Sequence, residues 1–98
     1  MTEAEMKTIA PFLDEDGMIT RLPQKQSKLL IILSYLAEKF EPGRDYTEKE
    51  INSICDIWHT FGDYFVLRRG LIDHSFLCRE PDGARYWRPR ATQDTPNE

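Results

Sequence analysis

LRRGLIDHSFLCREPDGARYW, residues 67–87, is the stretch on which the fold turns. It leaves a helical segment through two adjacent arginines and crosses a short link. It then closes on a Pro81-Asp82-Gly83 turn between two strand-like runs, Phe76 to Arg79 and Arg85 to Arg88. Proline presets the first corner of a type I turn, and glycine takes the left-handed position that follows it. A helix followed by a basic hairpin is the way a winged-helix domain meets DNA. It is equally the way such a domain completes its own core.

Upstream of this stretch, Gly62 makes a break and Asp63 is a good N-cap for a helix reaching about Asp73. Before it, Thr47-Glu48-Lys49-Glu50 is a capping box, in which threonine and glutamate each satisfy an orphan backbone N–H. Ile51, Ile54, Cys55 and Trp58 then line one face of a helix ending near His59. Arg44-Asp45-Tyr46 supplies a short strand, and Glu41-Pro42-Gly43 stops an earlier helix from about Gln24 to Phe40. In that helix Leu29, Leu33, Leu36 and Phe40 recur at helical spacing, while Leu30, Ile31 and Ile32 widen the apolar surface. Pro23 marks its entrance. FLDEDGMIT, residues 12–20, reads as a tight turn between two brief extended pieces. Residues 1–11 are expected as a flexible N-terminal arm, 12–90 as a single domain, and 91–98 as a disordered tail. The order helix, short strand, helix, turn, helix, hairpin predicts an α+β fold. It is winged helix-turn-helix-like, with three helices and a C-terminal β-hairpin wing.

With 98 residues the chain supports one domain with one modest core. A net charge of −4 counts against nucleic-acid binding by the whole surface. The charge is segregated, however. Residues 62–90 hold six arginines against four acids, whereas 41–61 hold five acids against two bases, so a local basic face is allowed. The apolar run Leu29 to Leu33 falls far short of the ~20 residues of a membrane span. The opening MTEAEMKTIAPF has no apolar signal core, and two cysteines do not make a disulfide framework. A cytoplasmic location is expected, with no membrane partner.

The chain also resembles a bacterial family, the domain of unknown function 2087. The resemblance runs over roughly residues 12–88. It is carried by the early Asp16-Gly17 and the Leu/Ile-rich helix, by FEPGRDYTEKEIN (40–52) and GDYFVLRRGLIDHSFLCR (62–79), and by DGARYW (82–87). It implies a winged-helix-like fold and a place in transcriptional regulators, where members can follow a helix-turn-helix domain. It implies no catalytic residues.

The two adjacent arginines divide on a helical wheel. Tyr64, Leu67 and Leu71 define the buried side of the third helix, and Arg68 lies about 60° from their centre. Its stem is expected on the core flank, with its charge on a carboxylate such as Glu50 or Asp56. Arg69 lies opposite, where a guanidinium suits a phosphate or a base edge. Its neighbours Val66, Asp73 and Asp63 make a poor recognition helix, since aspartates repel the DNA backbone. The hairpin is the stronger candidate. Arg79, Arg85, Arg88 and Arg90 place guanidinium groups along a wing, each able to release counterions from a phosphate. Arg69 and these four form the expected nucleic-acid-binding set. Tyr86 and Trp87 suit base stacking, although a strand aromatic pair in a small domain is more often core.

Cys55, His59, His74 and Cys78 count to a zinc set, but no CxxC knuckle is present and Cys55 sits on an apolar face. No metal is expected. Asp14, Glu15 and Asp16 are contiguous rather than converging, and no glycine belongs to a phosphate loop. Neither an enzyme nor a cofactor is expected. The leading expectation is a DNA-associated transcriptional regulator or accessory module making mainly backbone contacts to double-stranded DNA, which a homodimer would strengthen. The competing expectation is a protein-protein interaction module on the same scaffold that never touches DNA.

Overall fold

The computed structural model describes residues 1–89. Four helices and three two-residue strands follow one another as α1 (Glu3–Ile9), α2 (Gln26–Ala37), β1 (Asp45–Tyr46), α3 (Glu48–Ile57), α4 (Tyr64–Asp73), β2 (Cys78–Arg79) and β3 (Tyr86–Trp87). The strands form one antiparallel sheet in the order β1-β3-β2. Asp45 pairs with Trp87 and Tyr46 with Tyr86 on one side of β3, while Cys78 and Arg79 pair with the same two residues on the other. From α2 onward this is the expected winged-helix-like order, with β1 closing the hairpin into a sheet.

Residues 1–11, expected as a flexible arm, are instead a capped helix running into a 3-10 turn at Ala10–Phe12. The Thr2 hydroxyl accepts the Glu5 N–H and the Glu5 carboxylate accepts the Thr2 N–H, closing a capping box. Ile9 is fully buried and Phe12 nearly so, which anchors this helix against α2. The fourth helix is therefore part of the core. The expected tail, residues 91–98, lies outside the described residues.

Phe12 to Thr20 makes the expected turn. Leu13 bridges Ile19, the Met18 carbonyl accepts the Asp14 N–H, and Gly17 takes φ +81°. A β-carbon at Gly17 would meet the Tyr35 hydroxyl at 2.8 Å, so the turn needs glycine for space as well as for backbone sign. Tyr35 donates that hydroxyl to the Gly17 carbonyl at 2.7 Å and thereby ties α2 to the turn.

The core gathers Ile32, Leu33 and Leu36 of α2, Ile51 and Cys55 of α3, and Leu67 and Leu71 of α4, with Phe40, Tyr46, Leu77 and Tyr86 closing its sheet end. Each aliphatic side chain of this kind contributes about 1.5–3 kcal/mol on burial. The second expected capping box holds as well. Thr47 accepts from Glu50 N–H at 3.1 Å, and Glu50 accepts from Thr47 N–H at 2.9 Å. Lys39 lies over the rings of Tyr35 and Trp58, at 4.4 and 4.2 Å, and so bridges α2 to the end of α3. No helix among the described residues is long and apolar enough to cross a membrane.

The turn between α3 and α4 is organised by His59, a buried polar side chain. Its Nε2 accepts the Asp63 N–H at 2.9 Å, so the ring proton sits on Nδ1, which donates to the Cys55 carbonyl at 2.7 Å. One imidazole thus satisfies the last turn of α3 and the entry to α4. Asp63 then accepts the Val66 N–H as the expected N-cap.

Candidate interaction face between α4 and the hairpin

Arg68 and Arg69 part company as the wheel requires. The Arg68 side chain is 17% exposed and that of Arg69 is 69% exposed. Arg68 donates to Asn52 Oδ1 at 2.8 Å and pairs with Glu48 at 3.2 Å, not with Glu50 or Asp56. The reason is helical phase. Glu48 and Asn52 stand one turn apart on the side of α3 that faces α4, whereas Glu50 is folded back into its capping box. Arg69 pairs with Asp73, one turn along its own helix, at 3.5 Å.

The hairpin arginines have separate surroundings. Arg85 donates to Asp45 at 2.9 Å, lies 3.7 Å from Glu80, and covers the Trp87 ring at 4.3 Å. Register explains the first contact: Asp45 faces Trp87, so Arg85 is its diagonal neighbour across β1 and β3. The Asp45 hydrogen bond raises the pKa of a guanidinium that is already always charged. Arg88 donates to the Phe40 carbonyl at 3.0 Å, tying the end of β3 to the end of α2. Arg79 is exposed and, among the described residues, has no carboxylate within 4.0 Å. Arg90 lies outside the described residues.

Tyr64 is a correction. Expected on the buried side of its helix, it is 38% exposed, while Leu67 and Leu71 are fully buried. It is the first residue of α4 and precedes the turn that reaches the core. Phe65 and Val66 beside it are exposed too, as is Ile57 at the end of α3. Tyr86 is buried and Trp87 half-buried, which uses the aromatic pair in the core and its edge.

Between α4 and the hairpin runs an open groove of about 270 Å³. Phe65, Arg68, Arg69, Ile72 and Asp73 line it from the helix, and Arg79 and Tyr86 from the sheet. The Arg68 guanidinium sits 5.1 Å above the Phe65 ring, so cationic and apolar surfaces interleave. The charge is not one-signed, because Asp73 shares the wall.

Cys55 and His59 are otherwise occupied. Burial pushes the Cys55 thiol up to about 12, with the charge of Arg68 acting weakly in the opposite direction. Both His59 ring nitrogens are used by backbone groups. Cys78 lies in the ladder opposite Trp87, and His74 caps α4 through its backbone N–H. Among the described residues no group of three or more His, Cys, Asp or Glu side chains is placed to hold a metal ion. Sequence reasoning missed His59 and Asn52. Nothing but the phase of α3 against α4 marks either one.

The model of a family described as an uncharacterized protein conserved in bacteria, domain of unknown function 2087, matches residues 18–88. No curated protein and no solved structure matches the chain.

Proposed function

The chain belongs to this bacterial family of unknown function, and from that premise we propose a non-catalytic protein-interaction module on a winged-helix-like scaffold. One observation carries the reading. Arg68, Arg69 and Arg85 are paired with the protein's own carboxylates and Arg88 holds a backbone carbonyl, while the first turn of α4 exposes Tyr64, Phe65 and Val66. A recognition helix that enters a DNA groove presents polar and cationic ends to phosphates and bases. An exposed aromatic turn suits the desolvated centre of a protein interface. The location that goes with this reading is the cytoplasm, with Cys55 and Cys78 as free thiols.

A second reading keeps the DNA-associated regulator, and Arg79 favours it. It is exposed at the wing and carries a charge that no carboxylate of the described residues compensates. Fluorescence anisotropy with labelled duplex DNA at low salt separates the two readings. The interaction module is expected to give no saturable binding there, where counterion release favours it most. Binding with a steep salt slope that Arg79→Ala shallows by about 1 would establish the regulator instead.

A further inference from the structure

We propose that the groove between α4 and the hairpin takes a partner-protein segment in which one carboxylate lies beside a large apolar side chain. The proposal rests on the interaction-module reading and names its surface. Phe65 and Ile72 stand two turns apart on one side of α4 and supply the apolar wall, and the buried Tyr86 borders the groove from β3. Arg79 faces them from β2 with its guanidinium uncommitted among the described residues. Arg69 is held only by an exposed pairing at 3.5 Å to Asp73, which an incoming carboxylate exchanges at little cost.

Size and charge select the occupant. An open groove of about 270 Å³ has room for one or two side chains of a longer segment. A run of phosphates would meet Asp73 in the wall and Glu48 behind Arg68. One carboxylate meets Arg79 and the outer edge of Arg69 against the single charge of Asp73. The apolar wall is then left for the adjoining side chain.

The test is a titration of the full 15N-labelled chain with the blocked tripeptide acetyl-Leu-Asp-Phe-amide and with its Asn counterpart, followed by amide shifts. The Asp peptide is expected to shift amides of α4 and the hairpin saturably, in the millimolar range. The Asn peptide should bind about three- to fivefold more weakly, the scale of one exposed charge pair. Arg79→Ala should abolish that difference while leaving the rest of the spectrum in place, since among the described residues Arg79 makes no ion pair whose loss would unfold the chain. Phe65→Ala should weaken both peptides alike. Equal binding of the two peptides by the unsubstituted chain, or no shifts at all, would overturn the proposal. Shifts confined to Ile57 and the outer face of α3 would also overturn it, while leaving the interaction-module reading intact. Duplex DNA that reproduces the groove shifts at lower concentration would overturn both.

Discussion

At the scale of single residues, two adjacent arginines show how strictly geometry assigns roles. Arg68→Ala removes the donor to Asn52 and, among the described residues, leaves Glu48 with its long contact to the Tyr86 hydroxyl alone, and should cost about 1–2 kcal/mol. Arg69→Ala removes only an exposed pair with Asp73 and should stay within about 0.5 kcal/mol. Urea melts of both variants check this, and equal shifts would mean that the Arg68 contacts contribute nothing. Cys55 yields a prediction in pH. Its thiol has a raised pKa when folded, so the folded chain keeps a proton that the unfolded chain releases first. The contribution is complete below the unfolded value of 9.0 and is lost as pH rises toward about 12. Chemical denaturation across that window should show stability falling with pH, and Cys55→Ala should flatten that part of the fall. The wheel made the division between the arginines legible in the sequence. The partners were not, because which carboxylate faces α4 depends on the rotation of α3 in its packing.

At the scale of elements, capping decides where helices begin. Thr47→Ala should cost about 1 kcal/mol, since the Glu50 N–H loses its acceptor and the reciprocal bond loosens. Thr2→Ala should cost less than that, since a seven-residue helix at the edge of the core holds fewer contacts in place. Thermal melts of the two variants rank them, and a larger loss at Thr2 would make α1 the more central element. Thr2-Glu3-Ala4-Glu5 is the same signature as Thr47-Glu48-Lys49-Glu50. The first helix was therefore legible in the chain. It reads as an arm because Met6 and Ile9 offer too little periodicity to compete, and Pro11 looks like a terminator rather than the second residue of a 3-10 turn. The α3 and α4 boundaries, by contrast, follow directly from the capping box, Gly62 and Asp63.

At the scale of the whole molecule, the helical layer and the sheet meet through Tyr86. It is 2% exposed, pairs with Tyr46 and Arg79 across β3, and places its hydroxyl 3.3 Å from Glu48. Tyr86→Ala should cost about 3–5 kcal/mol, a large share of the stability of a domain this size. Tyr86→Phe loses only a long hydrogen bond and should cost about 1 kcal/mol or less. A loss for the phenylalanine variant as large as for the alanine variant would place the tyrosine's value in its hydroxyl rather than its ring. The groove was only partly legible in the sequence. Arg69 and Arg79 could be named, but their convergence with Phe65 needed the sheet to fix how the hairpin stands against α4. The strand order also bears on how the chain comes off the ribosome. β1 emerges with the helices, yet its sheet neighbour among the described residues, β3, is the last described element to be synthesised. Until β3 emerges, the Asp45–Tyr46 edge and the Tyr86 slot therefore stay open. The closing move waits for Tyr86–Trp87 to leave the ribosome.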